Sequence, residues 1–467
     1  MTREAAERFG DHTAYVAPDG RTLSYRELDQ HADAVAAGLA KQGVLEGDVV
    51  ALVLPQLPEY FVAYVAAARL GAITAGVNTR LSAPERETVL SIAKPKVVID
   101  TRDAVEELRD AGGDSRADEI DDDPDRPVAI VFTSGTTGTP KGAVFANRQL
   151  SFITSVDTGG NWGGGGATFA ATSFAHLGPM TKLPGSLMRG GTTHVQARWS
   201  ASEALRMIDE HRMPGIGGIP TQVALMLQHP DFDSYDVSSV RAIVMGGGPA
   251  TPALVREARA RFGAAVAIRY SCTEAGIGIG TAFDAPPEDA EVSVGRPHDG
   301  VDLELRDVAD GVGEVCLRST AVMTGYWNAP DLTAEAVTDD GFVRTGDLGW
   351  IDEQGRLHLS GRSKEMYVRG GYNVYPMEVE AVLATHPAVA DIAIVPRRDD
   401  LMGEVGVAVL VVRDGADPPT VDDLRAFGAD HLATYKLPDR AVVTDALPLT
   451  AMEKLDRRAL GAIASDA

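Results

Sequence analysis

The sequence is poor in cysteine and has fewer basic than acidic residues. Its 467 residues include two cysteines, Cys272 and Cys316, which lie far apart and argue against a disulfide framework or a cysteine zinc site. Lysine and arginine total 43 against 67 acidic residues, so the formal net charge is -24. This charge disfavours a nucleic-acid partner or an anionic membrane surface, although it leaves room for a small basic pocket that binds a phosphorylated ligand.

Long uninterrupted apolar runs are also lacking. The N-terminal MTREAAERFG has no apolar core of the kind found in signal peptides. The most apolar stretch, YFVAYVAAARLGAITAGV, contains Arg69 and Gly71, and it predicts a buried helix followed by a strand rather than a membrane span. We therefore expect a cytoplasmic protein without a membrane span, and this chain length predicts two or more domains.

The chain does contain an alternation of helical and strand-like segments. Ser24 with Glu27 and Ser82 with Glu85 match capping boxes at the starts of two helices. The strand-like runs DVVALVLP, KVVID and VAIVFT separate helical patterns, which predicts a parallel sheet covered on both faces. Residues 102–127 are acidic and poor in large apolar side chains, so we expect them to form a solvated surface excursion.

The stretch VFTSGTTGTPKG has the composition of a phosphate-binding loop. A Walker loop needs Ser or Thr after its lysine, whereas Gly142 follows Lys141 here. Hydroxyl groups and glycine amides can still surround an anion, and Lys141 adds a positive charge. Composition alone leaves a flexible glycine and threonine hairpin as the alternative. The candidate phosphate-binding residues are Thr133, Ser134, Gly135, Thr136, Thr137, Gly138 and Lys141.

This loop and several later motifs resemble, in order, the signatures of the adenylate-forming (ANL) superfamily, which includes acyl-CoA synthetases, firefly luciferases and peptide-synthetase adenylation domains. The motifs are TSGTTGTPKG, SFAHLGPM, MGGGPA, YSCTEAGIG, TGYWN, TGDLG, SGRSKE, RGGYN and PLTAMEK. The resemblance implies an acyl-CoA synthetase-like α/β fold. Residues 1–361 would form a large N-terminal domain of layered α/β sheets with a small β-barrel-like part, 362–364 a hinge, and 365–467 a small mobile α+β domain.

The resemblance also implies a nucleotide site. Backbone of the MGGGPA turn would lie along adenine, and Tyr270 would stack on it. Asp347 would accept bonds from both ribose hydroxyls and Arg362 would contact the ribose, while Tyr326, Trp327 and Thr345 would support the fold or rim the site. The residues implied to form this turn and to contact the purine are Gly247, Gly248, Pro249, Tyr270 and Ser271. Ser271 stands where the family usually has glycine.

Catalytic roles follow from the same resemblance. Thr273 would bond the α-phosphate, Glu274 would hold Mg²⁺, and His176 would stand beside the substrate carboxylate. Lys454 would be the adenylation lysine of the small domain. The residue before it is Glu453 where the family has glycine, so either the loop geometry differs, the lysine is tuned, or the first half-reaction is weakened.

Further positions concern the acid and the thiol. The residues implied to line the acid pocket are His176, Gly246, Gly248 and Gly276. SFAHLG lacks the Asp that usually pairs an α-ammonium group, which favours a plain carboxylic acid. Lys364 occupies the hinge position, and Gly370 and Gly371 match the strand that lines the thiol channel, with a β-bulge as the structural alternative.

The function implied is a two-step ligation that uses ATP, Mg²⁺ and coenzyme A. A hydrophobic carboxylic acid would attack ATP to give acyl-AMP and pyrophosphate, the small domain would rotate, and coenzyme A would take the acyl group. One alternative is an adenylating enzyme that passes the acyl group to a carrier protein or to a separate ligase. Another is an impaired nucleotide-binding homologue. A thioester nucleophile at Cys272 is disfavoured because no base stands near it in sequence.

Overall fold

The computed structural model describes residues 1–118, 120–133, 140–309, 311–363, 365–450 and 455–465. Short 3-10 turns at Phe232–Ser234, Thr273–Ala275 and Thr434–Lys436 supplement the helices and strands given below. Among these described residues, no helix combines the length and the apolar character that crossing a bilayer requires.

The first part of the chain supplies five of the six strands of one sheet, together with flanking helices. Its elements are α1 (Thr2–Phe9), β1 (Thr13–Val16), β2 (Thr22–Ser24), α2 (Tyr25–Lys41), β3 (Val49–Leu52), α3 (Glu59–Arg69), β4 (Ile73–Gly76), α4 (Ala83–Ala93), β5 (Val97–Ile99), α5 (Arg102–Gly112), β6 (Pro127–Thr133) and β7 (Lys141–Ala146). Strands β3 to β6 are parallel, while β7 pairs antiparallel with β6. The predicted parallel sheet and the buried helix followed by a strand are both confirmed.

Local sequence signals account for the helix starts. The Glu27 carboxylate accepts a 2.8 Å bond from the backbone N–H of Ser24, and that of Glu85 accepts a 2.7 Å bond from the N–H of Ser82. Both predicted capping boxes are thus confirmed.

The expectation of a solvated excursion at 102–127 is wrong for its first part. Residues Arg102–Gly112 form α5, which buries Val105 and Leu108 against α2. A side chain on Gly112 would lie 1.8 Å from the carbonyl oxygen of Ala34, so the two helices approach as closely as backbones allow. Two apolar residues at helical spacing, together with a glycine that lets the helices approach closely, therefore allow one face of α5 to be buried despite its acidic composition.

The second part of the chain builds a five-stranded sheet. Its elements are α6 (Asn147–Thr158), β8 (Ala167–Phe169), α7 (Leu177–Arg189), β9 (Thr192–His194), α8 (Ala201–His211), β10 (Gly215–Gly218), α9 (Pro220–Leu227), β11 (Ala242–Gly246), α10 (Pro252–Phe262), β12 (Ala265–Tyr270), β13 (Ile279–Gly280), α11 (Asp289–Val292) and β14 (Arg296–Pro297). Strands β10, β11 and β12 are parallel, and β13 and β14 continue the sheet antiparallel. Strands β8 and β9 join β1 and β2 in a smaller sheet.

A β-rich part follows and ends near the predicted hinge. Its elements are β15 (Asp302–Ala309), β16 (Val312–Arg318), β17 (Gly325–Tyr326), α12 (Pro330–Ala336), β18 (Val343–Ile351) and β19 (Leu357–Arg362). The predicted barrel-like part corresponds to the antiparallel sheet β15-β16-β18-β19, whereas β17 joins β7 at the edge of the six-stranded sheet.

The last part of the chain forms a small α+β domain with its own core, as predicted. Its elements are β20 (Tyr367–Arg369), β21 (Tyr372–Val374), α13 (Pro376–Leu383), β22 (Val389–Asp399), β23 (Gly403–Val412), α14 (Val421–Gly428), β24 (Arg440–Val443) and α15 (Arg457–Ser465). Strands β22 and β23 form a long hairpin, packed on one face by α13 and α14 and on the other by α15. A large N-terminal domain and a small C-terminal domain are therefore confirmed.

Candidate functional site

The phosphate-loop motif lies between two paired strands. Thr133 ends β6 and stands opposite Lys141, which begins β7, with the Thr133 hydroxyl 3.5 Å from the Lys141 carbonyl oxygen. The predicted loop residues Ser134, Gly135, Thr136, Thr137 and Gly138 lie outside the described residues. The two described ends show that β6 delivers the motif to the carboxyl edge of the six-stranded sheet, where ligands bind in open α/β sheets.

Lys141 and Glu274 both lie beside one tyrosine. The Tyr326 hydroxyl donates a 2.6 Å hydrogen bond to Glu274 Oε1, and Lys141 Nζ lies 5.0 Å from the centre of the Tyr326 ring. Burial, and secondly the charge of Glu274, raise the pKa of Tyr326 above its ordinary value, so the hydroxyl keeps the proton that it donates. Tyr326 therefore connects the lysine of the loop to the carboxylate expected to hold a metal.

The turn that carries Thr273 and Glu274 is tightly packed. Both residues belong to the 3-10 turn after β12, and the Glu274 carbonyl oxygen accepts a 2.8 Å bond from the N–H of Met323. Gly276 ends this turn, and a side chain there would lie 2.5 Å from the Ala321 carbonyl oxygen. The backbone at Ala321 is thus too close to allow a side chain at the predicted pocket residue Gly276.

Three predicted nucleotide residues form a single cluster. The Tyr270 hydroxyl lies 2.8 Å from Asp347 Oδ2 and 3.2 Å from Thr345 Oγ1, while Arg362 Nε donates a 3.0 Å bond to Asp347 Oδ1. Asp347 on β18 and Arg362 on β19 are register partners, and Asp347 is only 8% exposed. Burial, followed by the Asp347 charge, raises the pKa of Tyr270 well above its ordinary value, so this hydroxyl is also a donor.

The glycine turn and the histidine lie at the ends of other elements. Gly246 ends β11, and Gly247 has a φ of +78°, a conformation that favours glycine, before Gly248 and Pro249. His176 is the N-cap residue of α7, and its Nε2 lies 3.4 Å from the amide nitrogen of Asn78.

The residues between Tyr270 and Thr273 make local contacts. The Ser271 hydroxyl donates a 3.1 Å bond to the carbonyl oxygen of Cys272. Burial, followed by the charge of Glu274, raises the pKa of the Cys272 thiol well above its usual value, which keeps the group protonated. The structure thus gives the thiol no activation, which is consistent with the expectation that Cys272 is not a nucleophile.

The two predicted glycines of the small domain form a turn, not part of a strand as expected. Gly370 and Gly371, with φ of +57° and +90°, form the two-residue turn between β20 and β21, because Arg369 pairs directly with Tyr372. They therefore lie neither within a strand nor in a β-bulge, and two successive positive φ values are what this hairpin turn requires. The predicted residues Lys364, Glu453 and Lys454 lie outside the described residues.

Sequence reasoning missed two contacts of the site. From the sequence, Tyr326 is expected only to support the fold or rim the site, and Asn78 has no predicted role. Asn78 follows β4, whose carboxyl end lies beside that of β6, so its position after a parallel strand was a usable signal. The contact between Tyr326 and Glu274 spans 52 residues and left no local pattern in the sequence.

Among the described residues, Glu274 is the side chain expected to contact a metal at this site. The described residues contain no group of three or more His, Cys, Asp and Glu side chains arranged to hold a metal ion. Glu274 nevertheless offers a carboxylate fixed by Tyr326, and one carboxylate plus phosphate oxygens is a donor set typical of magnesium in nucleotide sites. The residues present therefore fit Mg²⁺ bound together with a nucleotide.

Comparison with known proteins gives consistent matches over almost the whole chain. Residues 2–327 match the family model of the AMP-binding enzymes, and residues 378–454 match that of the AMP-binding enzyme C-terminal domain. The chain is 31% identical to fatty acid–[acyl-carrier-protein] ligase ScoC of Streptomyces coeruleorubidus, over 96% of this chain and 93% of that protein. It is 33% identical to feruloyl-CoA synthase of an Amycolatopsis species, over 96% and 95% of the two chains. ATP-bound MatB from Rhodopseudomonas palustris superimposes with a TM-score of 0.86 at 27% identity, covering 98% of both chains.

Proposed function

Because the chain belongs to the family of AMP-binding enzymes, within the adenylate-forming superfamily, we propose that it activates a hydrophobic, non-amino carboxylic acid with ATP and transfers the acyl group to coenzyme A. The observation that carries this proposal is the arrangement of side chains at the end of β12. There Tyr270 joins the Asp347 and Arg362 cluster, while Glu274, four residues on, joins Tyr326 and Lys141. One chain segment thus connects a ribose-type site to a phosphate-type site.

The first step joins the acid to AMP. A carboxylate oxygen of the acid attacks the α-phosphorus of ATP, a new P–O bond forms, and the bond to pyrophosphate breaks. Both reactants are anions, so the protein must neutralise charge and hold them in line. Lys141, Thr133 and the loop that they flank would bind the departing pyrophosphate, and Lys454 would approach the α-phosphate from the small domain.

The remaining residues would orient the nucleotide and the acid. Asp347 and Arg362 would hold the ribose, Thr273 would bond the α-phosphate, and His176 would stand beside the reacting carboxylate. Glu274 would hold Mg²⁺, which when bound supplies positive charge for the phosphate oxygens. Tyr326 would fix the Glu274 carboxylate in place through its hydrogen bond.

The second step transfers the acyl group to sulfur. The thiol of coenzyme A loses its proton and attacks the acyl carbon, a C–S bond forms, and AMP leaves with the anhydride oxygen. The turn at Gly370 and Gly371 would line the thiol path after rotation of the small domain. We infer a large domain over 1–361, a hinge at 362–364 and a small domain over 365–467. The end of β19 at Arg362 and the gap between the two family matches, at 327 and 378, support these bounds.

A second acceptor is supported by one specific comparison. The matched protein ScoC is named as a ligase that uses an acyl carrier protein, and its similarity to this chain extends over nearly its full length. A carrier-protein phosphopantetheine thiol would attack the same acyl-adenylate. Offering coenzyme A and a carrier protein with a free phosphopantetheine thiol side by side to the purified enzyme, with ATP and acid, distinguishes the two acceptors.

The two-step cycle is tested by separating its halves in a Lys454→Ala variant. We expect acid-dependent pyrophosphate release to fall about a hundred- to a thousandfold, because removing a transition-state charge contact costs several kcal/mol. Thioester formation from a supplied acyl-adenylate and coenzyme A should remain close to that of the unmodified protein. An equal loss of both halves would overturn the role of Lys454, and absence of acid-dependent pyrophosphate release across a broad acid panel would overturn the proposed function.

A further inference from the structure

The two described ends of the segment that carries Lys454 are joined to each other. Leu449 and Leu455 form an antiparallel bridge, and the backbone N–H of Asp456 donates a 2.8 Å bond to the carbonyl oxygen of Pro448. Lys454 itself lies outside the described residues and directly precedes Leu455 in the sequence. The base of its segment is therefore closed by residues that the structure describes.

This base continues without a break into α15. The Asp456 carboxylate accepts bonds of 3.1 and 3.0 Å from the backbone N–H groups of Arg458 and Ala459, which is the bonding pattern of a helix N-cap. Helix α15 packs on one face of the hairpin that β22 and β23 form. The chain thus enters the helix at Arg457, three residues after Lys454.

Arg457 makes a two-point ion pair across the edge of the small-domain sheet. Its Nη1 and Nη2 donate to the two carboxylate oxygens of Glu380, at 2.7 and 3.2 Å. Glu380 is only 8% exposed and lies on α13, which packs on the opposite face of the hairpin from α15. The pair therefore links helices on both faces, and its bidentate geometry holds the guanidinium in one orientation.

The same two side chains bind the backbone of an edge strand. Among the strands that the structure describes, β22 pairs with β23 alone, so its outward backbone groups need other partners. The N–H of Ile394 donates a 2.7 Å bond to Glu380 Oε1, and Arg457 Nη1 donates a 3.2 Å bond to the Ile394 carbonyl oxygen. A purely structural alternative follows, in which the ion pair only covers this edge.

A second carboxylate connects Arg457 to the predicted hinge. Glu365 Oε2 lies 3.4 Å from Arg457 Nε, so all three nitrogen atoms of the guanidinium face a carboxylate. Glu365 directly follows the hinge residue Lys364 in the sequence, and its backbone N–H donates a 3.0 Å bond to the carbonyl oxygen of Arg362 at the end of β19. Arg457 thus contacts both α13 and the hinge segment from the start of α15.

We propose that Arg457, held by Glu380 and Glu365, is a positioning residue for the adenylation step, because it fixes the base of the segment from which Lys454 reaches the α-phosphate. This inference rests on the proposed function, since Arg457 would act through Lys454 and not on the substrate. A lysine ammonium on a flexible four-carbon side chain is placed accurately only when its backbone is held. The structural alternative predicts changes in stability without a preference for one half-reaction.

Neutralising Glu380 tests this role within one helix. In Glu380→Gln the side chain can still accept from Ile394, but Arg457 loses a charged partner, so kcat for acid-dependent pyrophosphate release should fall about ten- to a hundredfold. KM for ATP should change less than kcat, and thioester formation from a supplied acyl-adenylate and coenzyme A should stay within about twofold. The matched control Glu378→Gln removes an equal charge from α13, where Glu378 pairs with Lys436 at 2.5 Å, and should leave pyrophosphate release unchanged.

A double-mutant comparison separates positioning from folding. Arg457→Lys keeps the charge but loses the planar two-point geometry, and it should lower pyrophosphate release about tenfold or more. If Arg457 acts through Lys454, adding Arg457→Lys to Lys454→Ala should cause no further loss, measured at high enzyme concentration. A purely structural residue would lower the remaining pyrophosphate release by the same factor in either background, and would lower thioester formation with it.

The outcomes separate this inference from the proposed function. Full adenylation in Glu380→Gln and Arg457→Lys, beside its loss in Lys454→Ala, would overturn the inference and leave the proposed function standing. An equal loss of both half-reactions in the first two variants would do the same. Should Arg457→Lys fold poorly, as judged by its melting temperature, the comparison of Glu380→Gln with Glu378→Gln decides the question. Failure of the unmodified protein to release pyrophosphate with any acid would instead overturn both.

Discussion

Tyr326 OH donates a 2.6 Å hydrogen bond to Glu274 Oε1, across 52 residues of sequence. The same ring has Lys141 Nζ 5.0 Å from its centre. A single side chain on the short strand β17 thus lies beside both the lysine that follows the phosphate loop and a carboxylate that would bind a metal. Because β17 pairs with β7 through Tyr326 and Ala143, the backbone fixes this tyrosine against the strand that begins with Lys141.

The hydroxyl and the ring of Tyr326 are expected to make separable contributions. In Tyr326→Phe the hydrogen bond to Glu274 is lost and the ring remains, so kcat for acid-dependent pyrophosphate release should fall about tenfold or more, as expected for loss of a bond to a charged group. The Mg²⁺ concentration that gives half-maximal rate should rise. Tyr326→Leu should lower kcat further because Lys141 also loses its aromatic neighbour.

A remote tyrosine provides the control for this experiment. Tyr235 packs against His229, with ring centres 6.1 Å apart, outside the cluster around Tyr326. Tyr235→Phe should leave both kcat and the Mg²⁺ dependence unchanged. If Tyr326→Phe lowers the melting temperature while kcat and the Mg²⁺ dependence stay at their original values, Tyr326 has only a structural role.

Features encoded in neighbouring residues were predictable from the sequence. The capping boxes at Ser24 and Ser82 depend on a partner three residues away, and the strands β3, β5 and β6 are short apolar runs, so each could be predicted from a single segment. The roles attached to the motifs rest on resemblance, and all of them stay predictions. Lys454 and residues 134–138 of the loop also lie outside the described residues.

Features that depend on distant segments were not predictable. Helix α5 packs one face, with Val105, Leu108 and Gly112, closely against α2, which its acidic composition does not indicate. The pairing of Arg369 with Tyr372 decides that Gly370 and Gly371 form a turn.

Asp347 offers a test of the ribose site. In Asp347→Asn the carboxylate that accepts from Tyr270 and Arg362 becomes a neutral amide, so both partners lose a charged acceptor. We expect KM for ATP to rise about tenfold or more, with a smaller change in kcat, because ribose contacts serve ground state and transition state alike. Steady-state kinetics with varied ATP at saturating acid measure this directly.

The matched control lies in the same sheet. Asp302 on β15 pairs with Arg318 at 2.9 Å on the exposed surface, so Asp302→Asn removes an equal charge without touching the cluster. Its KM for ATP should equal that of the unmodified protein, since exposed ion pairs contribute little. A rise of KM in both variants would point to general electrostatics instead of a ribose contact.

The two cysteines provide a test of the absence of covalent catalysis. Burial raises the pKa of Cys316 to about 11, and it raises that of Cys272 well above the usual value. A raised pKa leaves little thiolate at pH 8, about one part in a thousand for Cys316, and only the thiolate reacts quickly with disulfide reagents. We therefore expect the native protein to react slowly with Ellman's reagent, and the denatured protein to release two equivalents at once.

Cys272→Ser should retain both half-reactions within about twofold, because a buried protonated thiol forms no acyl-enzyme. A fast single equivalent in the native protein, protected by the acid and ATP, together with loss of thioester formation in Cys272→Ser, would contradict this prediction and assign the acyl group to sulfur on the enzyme.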